Sequence, residues 1–204
     1  MDVFYVSSEC APFAASGGLA DVIGALPKEV AKADNVNVSV LMPLYKSVYE
    51  KYQKELTHYT DISFKLSWRE TGASVYTVKR DGVDYFFFEN GYYFSRDNLY
   101  GEYDDAERFA FFSLAVVEFM KNEGKAPDVL QANDWQTALT VIYLKTEHRE
   151  DSLSSIKTLF TVHNIEYQGK FPKEKCAAFS SVKLECDGEE VEWLELTAAF
   201  GRVE

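Results

Sequence analysis

The first thirty residues constrain the fold of this chain most, because an apolar strand leads through a glycine turn into a helix. Residues 3–6 (VFYV) predict a buried strand, and apolar periodicity predicts a helix over about 19–33. The turn Ser16-Gly17-Gly18 lies between them. Paired glycines let a ligand approach the backbone closely, and a helix N-terminus favours negative charge. The segment therefore predicts an α/β protein with a site for a phosphate or a polar sugar.

A purely structural interpretation of the same turn is equally open. Ser16 would then cap the helix, and the helix dipole would favour Asp21 in the first helical turn. In the functional interpretation, Asp21 is free to accept a hydrogen bond from a sugar hydroxyl.

Strand and helix patterns alternate along the chain, which is typical of a parallel sheet with helices on both faces. Between the second and third predicted parallel strands, three strands form a β-meander with a hairpin turn at Asp81-Gly82. The predicted fold is α/β, with a Rossmann-like, doubly wound, mostly parallel sheet and an inserted β-meander. The remaining predicted parallel strands cover 36–41, 129–132 and 157–163, the meander covers 62–68, 73–79 and 83–88, and further helices cover 106–120 and 135–145.

Polar pairs follow three of the predicted parallel strands at the point where each strand ends. Because an open α/β sheet binds its ligands at the carboxyl ends of its strands, these pairs predict one shared cleft. The pairs are Ser7-Ser8, Asn133-Asp134 and His163-Asn164.

The net charge argues against two classes of partner. The 204 residues carry a net charge of -12, whereas nucleic acids and anionic membranes need a basic surface. No apolar run approaches the length of a membrane span, and an acidic Asp2 is unlike the start of a signal peptide. We therefore expect a single cytoplasmic domain that binds a neutral or singly charged small ligand, with no nucleic acid and no membrane partner.

Cysteine usage fits a reducing compartment. The three cysteines form no closely spaced pair, so the sequence predicts neither a disulfide framework nor a metal site. Cys10, next to the glycine turn, is expected to be a small packing residue and not a nucleophile. The other two are Cys176 and Cys186.

Three blocks of sequence resemble one enzyme family, the bacterial glycogen synthases and plant starch synthases. The first block is SSECAPF at 7–13 followed by SGGLADVIGALP at 16–27, and the second is YDDAERFAFFS at 103–113. The third is NDWQTA at 133–138 followed by FTVHNIEYQG at 160–169. The blocks occur in the family's order and span residues 1 to about 172, roughly the first third of such an enzyme.

This resemblance implies a function as well as a fold. Residues 1–204 would form the amino-terminal, glucan-acceptor domain of a GT-B type glycosyltransferase, without the carboxyl-terminal domain that chiefly holds ADP-glucose. The complete enzyme would transfer glucose to the non-reducing end of an α-1,4-glucan with retained anomeric configuration and without a cofactor. UDP-glucose stays open as the donor, because the discriminating contacts lie mainly in the other domain. The isolated chain is expected to be inactive.

The resemblance also implies a set of site residues. His163 and Asp134 are the expected catalytic residues. Structural alternatives are a histidine satisfied by local backbone, an Asp134 that caps a helix, and a Trp135 that belongs to the core. Arg108 is expected to pair with a neighbouring carboxylate. The expected substrate-binding residues are Ser16, Gly17, Gly18, Asp21, Tyr103, Asp104, Asn133, Trp135, Asn164, Tyr167 and Gln168.

Two positions depart from the family pattern. Ala15 stands where a lysine usually helps to hold the sugar nucleotide, and Glu195 stands where a tail lysine is usual. These departures motivate an alternative, a stand-alone glucan-binding or regulatory module of the same fold. An unrelated nucleotide-binding domain is disfavoured, because the sequence contains neither a G-x-G-x-x-G fingerprint nor a P-loop.

Overall fold

A seven-stranded sheet forms the centre of the protein in a computed structural model that describes residues 1–146, 152–171, 184–186 and 189–191. Helices connect its parallel strands, and a short separate hairpin follows. In chain order the elements are β1 (Asp2–Val6), α1 (Gly18–Val30), β2 (Asn37–Pro43), α2 (Lys46–Tyr52), β3 (Thr57–Leu66), β4 (Arg69–Arg80), β5 (Val83–Glu89), α3 (Gly91–Phe94), α4 (Asp105–Asn122), β6 (Val129–Asn133), α5 (Trp135–Lys145), β7 (Lys157–Thr161), β8 (Leu184–Cys186) and β9 (Glu189–Val191).

The strand order β3-β4-β5-β2-β1-β6-β7 confirms the predicted mostly parallel sheet. Strands β5, β2, β1, β6 and β7 are parallel, and β4 is antiparallel to both of its neighbours. The meander therefore extends the main sheet instead of forming a layer of its own. Its last strand, β5, pairs directly with β2, with Val38 opposite Val83.

The core lies on both faces of the central strands. Four of the five residues of β1 and six of the seven of β2 are buried, as expected for parallel strands covered by helices. Helix α4 is buried along most of its length and packs aromatic rings on the meander. Phe119 of this helix contacts Phe86 and Phe88 of β5, with ring centroids 5.2 and 5.5 Å apart. Burying each such ring stabilises the fold by about 1.5–3 kcal/mol.

Two helices are absent from the sequence-based prediction. Residues 46–52, which lie outside every predicted strand and helix, form the short helix α2, which buries only Val48 and Tyr52. Two buried positions in seven residues give too weak a periodicity to detect. The four-residue helix α3 begins after Asn90, whose side chain accepts hydrogen bonds from the backbone N–H groups of Tyr92 and Tyr93.

Several element ends differ from the prediction, most of all in the meander. Strand β3 covers Thr57–Leu66 and not 62–68, and strand β4 covers Arg69–Arg80 and not 73–79.

Two further ends lie near the cleft. Helix α1 stops at Val30 and not near residue 33. Strand β7 ends at Thr161, two residues before the predicted end at His163, because the His163 N–H donates to the side chain of Asp134 and leaves the strand ladder. Glu195, the second departure from the family pattern, lies outside the described residues.

Most of the predicted site residues lie at one edge of the sheet. The carboxyl ends of the five parallel strands meet there, and the helices that follow β1 and β6 begin there. Helix α4 also begins at this edge, because it leads from the end of β5 towards the start of β6 at the opposite edge. Among the described residues, no helix is long and apolar enough to cross a membrane.

Candidate functional site

A cleft of about 470 Å³ lies at this edge, between the N-termini of α1 and α5 and the segment after β7. The structure brings most of the predicted site residues together around it. Those that line the cleft are Ser16, Gly17, Gly18, Asp134, Trp135, His163, Asn164 and Tyr167.

The other five predicted residues lie outside the cleft lining. Asp21 is exposed on the first turn of α1, and Asn133 is fully buried beneath the cleft. The Asp104 carboxylate forms an ion pair with Arg96, whose Nη2 donates to Oδ2 at 2.7 Å. A role for these residues in sugar binding stays a prediction. The remaining two are Tyr103, on a neighbouring surface, and Gln168, which donates to the Ile165 carbonyl at 2.9 Å.

A buried carboxylate, Glu9, holds the glycine turn. Its Oε1 accepts from the Ser16 hydroxyl at 2.9 Å and from the Tyr100 hydroxyl at 2.7 Å. Its Oε2 accepts from the backbone N–H groups of Ser16 and Gly17. Two of the N–H groups that could have bound an external anion are therefore taken by the protein itself. The N–H groups of Gly18 and Leu19 have no hydrogen-bond partner within the described part of the chain.

The contacts of Ser16 show that the capping interpretation is wrong. The N-cap of α1 is Gly17, and no side chain caps this helix end. The glycine pair is also not required by the fold. A Cβ built on Gly17 or Gly18 would meet no atom within 4 Å, and the Gly17 φ of -161° is ordinary extended backbone. Because glycine has no side chain, the cleft is open beside Gly17 and Gly18.

Asp134 connects α5 to the segment after β7. It occupies the N-cap position of α5 but makes no capping hydrogen bond, so the capping alternative is wrong here as well. Its Oδ1 instead accepts from the N–H groups of His163 at 2.7 Å and Asn164 at 3.4 Å. The backbone has φ 56° and ψ 176°, a region that residues other than glycine occupy at a cost of about 1–3 kcal/mol. The fold therefore strains the backbone at this aspartate, a pattern that is common at functional sites.

His163 is oriented by Asn133. The Asn133 Nδ2 donates to the carbonyl of Val6 at 3.0 Å, so its Oδ1 faces the other way as an acceptor. That oxygen lies 2.9 Å from His163 Nε2 and 3.2 Å from Gln131 Nε2. The Nε2 of His163 must therefore carry a hydrogen, which leaves Nδ1 as the acceptor of the neutral ring. Among the described residues, Nδ1 has no partner.

Trp135 is half-buried and held by neighbours on several sides. Its ring centroid lies 5.2 Å from that of Phe109 and 5.3 Å from that of Phe171. Gly169 has a φ of +62°, and a Cβ there would come within 2.5 Å of the indole. Trp135 thus combines the core role of the structural alternative with a position on the cleft wall.

Three polar residues of the cleft wall were missed by sequence reasoning, besides the apolar Leu19 and Val22. Glu9 and Tyr100 line it, and Ser8 links them to the core, since its hydroxyl lies 2.8 Å from the Tyr100 hydroxyl. Burial beside the Glu9 carboxylate raises the pKa of Tyr100 far above its usual range, so this phenol stays protonated and donates. The third residue, Gln136, has a buried Oε1 without a hydrogen-bond partner in the part of the chain described. The sequence signal that could have identified Gln136 is its position directly after the Asp134-Trp135 pair.

Two further sequence expectations are confirmed. Arg108 is fully buried and pairs with Asp105, with Nη1 and Oδ1 2.5 Å apart. Cys10 is also fully buried, and burial raises the pKa of its thiol to about 12, as expected for a packing residue. Within the described ranges, no group of three histidine, cysteine or acidic side chains could hold a metal ion.

Comparison with known proteins gives a consistent result. The sequence profile of the family described as starch synthase catalytic domain matches residues 2–198. Glycogen synthase of Bacillus licheniformis is 43% identical over 175 residues, which cover 85% of this chain and 36% of that protein. Glycogen synthase of Bacillus subtilis is 39% identical over 197 residues, which cover 92% of this chain and 40% of that protein.

A solved structure shares the fold. The catalytic domain of starch synthase IV from Arabidopsis thaliana, bound to ADP and acarbose, matches with a TM-score of 0.75 and 28% identity. The match covers 85% of this chain and 36% of that one, so this chain spans somewhat more than a third of the proteins it resembles. On this evidence the chain belongs to the starch synthase catalytic domain family.

Proposed function

We propose that this chain is the amino-terminal, acceptor-binding part of a GT-B type glucosyltransferase that builds an α-1,4-glucan from ADP-glucose. The complete enzyme transfers glucose to the non-reducing end of the glucan with retention of configuration. One observation carries the proposal: Asp134, His163 and the open glycine pair line a single cleft. The homologous glycogen synthases support it, and so does the neighbour's complex with ADP and acarbose, a nucleotide and an oligosaccharide.

Each group on the cleft wall has an atom suited to a sugar or a phosphate. Both hydrogen bonds that the described residues donate to the Asp134 carboxylate go to Oδ1, so Oδ2 is available to accept from a sugar hydroxyl. His163 offers Nδ1 as an acceptor while Asn133 fixes the ring. The N–H groups of Gly18 and Leu19 can donate to an anionic or hydroxyl oxygen. Hydroxyl-rich ligands need such a mixture of acceptors and donors.

The isolated chain is proposed to bind the acceptor and not to catalyse transfer. It spans 36–40% of the curated glycogen synthases it matches. The family resemblance implies that the rest of such an enzyme chiefly holds the donor. Closure of two domains over a cleft excludes water and completes such a site. We place this chemistry in the cytoplasm, in keeping with the reducing compartment that its cysteine usage predicts.

Isothermal titration tests the acceptor role. Maltoheptaose and ADP-glucose are titrated separately into the chain and into its Gly18→Val variant, which fills the open side of the cleft. The proposal predicts maltoheptaose binding that Gly18→Val weakens at least tenfold, with ADP-glucose bound far more weakly by the unaltered chain. Tight ADP-glucose binding, or maltoheptaose binding that Gly18→Val leaves intact, would contradict the assignment.

A further inference from the structure

Arg108, in the first turn of α4, is a fully buried arginine that does not line the cleft. Its Nη1 pairs with Asp105 Oδ1 at 2.5 Å, and its Nε donates to the Tyr93 carbonyl at 2.8 Å. Its Nη2 has no hydrogen-bond partner within the described part of the chain. A buried ion pair loses hydration that its own attraction barely repays, so it is a weak source of stability. The main structural effect of this pair is then on the segment that it holds in place.

The Arg108–Asp105 pair holds the backbone on both sides of Tyr100. Before Tyr100, the Leu99 carbonyl accepts from Arg108 Nη1 at 3.3 Å. After Tyr100, the Gly101 N–H donates to Asp105 Oδ2 at 2.7 Å. Tyr100 is therefore tied to the N-terminal end of α4 through the peptide groups on either side of it.

The Tyr100 hydroxyl joins this segment to the cleft. It donates to Glu9 Oε1 at 2.7 Å, and the Ser8 hydroxyl lies 2.8 Å away. Because the single hydrogen of the phenol goes to Glu9, Ser8 is the donor to Tyr100. The ring of Tyr100 packs beside Phe109 of α4, with ring centroids 5.8 Å apart. Tyr100 thus connects the segment held by α4 to the carboxylate that holds the glycine turn.

Glu9 links Tyr100 to the glycine turn. The other hydrogen bonds that the described residues donate to its carboxylate come from the turn itself, from Ser16 and Gly17. Among the described residues, Tyr100 is therefore the one donor that connects this carboxylate to a distant part of the chain. The two N–H groups at the start of α1 that can meet a ligand follow the turn directly, so their direction depends on this anchor.

We propose that Arg108, Asp105 and Tyr100 are positioning residues that hold the glycine turn in the geometry that binds the glucan. This inference rests on the proposed function and extends it to Arg108 and Asp105, which line no part of the cleft. The connection runs from the buried pair through the backbone around Tyr100 to Glu9, and from Glu9 to the turn. A substitution at Arg108 therefore changes the turn without removing a contact to the ligand.

Amide hydrogen exchange of the ligand-free chain tests this connection directly. Tyr100→Phe removes only the hydroxyl that reaches Glu9. Arg108→Lys keeps the charge, but a lysine cannot reach all the partners of the planar guanidinium. In both variants we expect the N–H groups of Ser16 and Gly17 to exchange at least about tenfold faster through local opening, while the amides of β1 keep their rates.

Two substitutions at the same helix end are matched controls. Tyr93→Phe also removes a phenol that donates to a buried glutamate, Glu107, at 2.5 Å. Arg69→Lys also alters an arginine that is paired with Glu107, at 2.9 Å. In the described structure neither side chain hydrogen-bonds to residues 99–101 or to Glu9. Exchange at the glycine turn should therefore stay normal in both controls.

Isothermal titration with maltoheptaose tests whether ligand binding uses this geometry. Arg108→Lys should weaken maltoheptaose binding at least about threefold, because the turn is no longer held in place. Tyr93→Phe, in which the altered ring is buried, should bind maltoheptaose normally. Thermal unfolding checks that each variant is folded, and Tyr100→Phe carries the test if Arg108→Lys does not fold.

The outcomes separate this inference from the proposed function. Unchanged exchange at the turn in Tyr100→Phe would overturn the inference, and so would equally faster exchange in β1, because the pair would then serve only the fold. Faster exchange at the turn with unchanged maltoheptaose affinity would also overturn it. If the unaltered chain binds no maltoheptaose, the proposed function fails, while the exchange comparison still decides whether the buried pair holds the turn.

Discussion

The Oδ1 atom of Asn133, buried at the end of β6, lies 2.9 Å from Nε2 of His163 on the cleft wall. Because the Asn133 amide is fixed by the Val6 carbonyl, this contact determines which nitrogen of the histidine carries the hydrogen. A residue that lines no part of the cleft thereby sets the chemistry of one that does.

The first prediction concerns this tautomer. At a pH where the ring is neutral, ¹⁵N–¹H correlation spectra should show His163 as the Nε2–H form. Asn133→Ala should give a mixture of tautomers and lower the free energy of unfolding by about 1–3 kcal/mol, since the buried Val6 carbonyl loses its donor. His58, which is exposed, is the internal control. A predominant Nδ1–H form in the unaltered chain would refute the orientation.

The second prediction concerns Glu9. In Glu9→Gln, an NH₂ group can replace the carboxylate oxygen that accepts hydrogen bonds from the backbone N–H groups of Ser16 and Gly17. Because NH₂ cannot accept, these two N–H groups would lose their partner. We expect the free energy of unfolding to fall by about 1–3 kcal/mol, with faster amide exchange at Ser16 and Gly17. The matched control is Glu29→Gln, an exposed surface pair with Lys32, which should change stability by less than about 0.5 kcal/mol. Equal effects of the two substitutions would argue against an anchoring role for Glu9.

The third prediction compares two glycines. Gly18→Ala should leave the free energy of unfolding within about 0.5 kcal/mol of the original, because its Cβ would meet open space. Gly169→Ala should cost at least about 2 kcal/mol, because φ is +62° and the Cβ would collide with Trp135. Denaturant unfolding measures both. A large loss in Gly18→Ala would mean that the glycine pair serves the fold.

The order of the main elements could be predicted because each has a local signal. The Asp81-Gly82 turn connects β4 to β5 as predicted, and helix 135–145 has the predicted bounds. The anchoring role of Glu9 could not be predicted, because its partner Tyr100 is 91 residues away in sequence. The contacts of Asp134 were missed for the same reason, since a local pattern favours capping, whereas its partners lie 29 and 30 residues further on.

The fourth prediction concerns Cys10 and pH. In a background with Cys176→Ser and Cys186→Ser, the Cys10 thiol should not react with a disulfide reagent at pH 8 until the protein is unfolded. With a pKa of about 12, roughly one thiol in 10⁴ is ionised there. Burial of the protonated Cys10 thiol contributes fully to the free energy of unfolding below the unfolded-state pKa of about 9. This contribution is lost as the pH rises towards 12. Rapid labelling of the folded protein at pH 8 would contradict this burial.

The fifth prediction concerns Ala15, which is exposed directly before the glycine turn. In a complete enzyme that contains this chain, Ala15→Lys should lower the Kd for ADP-glucose at least tenfold. A charge-assisted hydrogen bond is worth about 1.5–3 kcal/mol, and each 1.4 kcal/mol is tenfold in affinity. Ala15→Met, which adds length without charge, is the control. Equal effects of Lys and Met would show that charge at this position is not used.

The proposed function is tested most simply with a chimera that joins residues 1–171 to the carboxyl-terminal remainder of the Bacillus licheniformis glycogen synthase. Transfer of radiolabelled glucose from ADP-glucose to glycogen is then measured for the chimera, its Asp134→Ala variant and the isolated chain. We expect transfer by the chimera, at least a hundredfold less in Asp134→Ala, and none by the isolated chain. A folded chimera that transfers no glucose would contradict the proposed function and favour a stand-alone glucan-binding module.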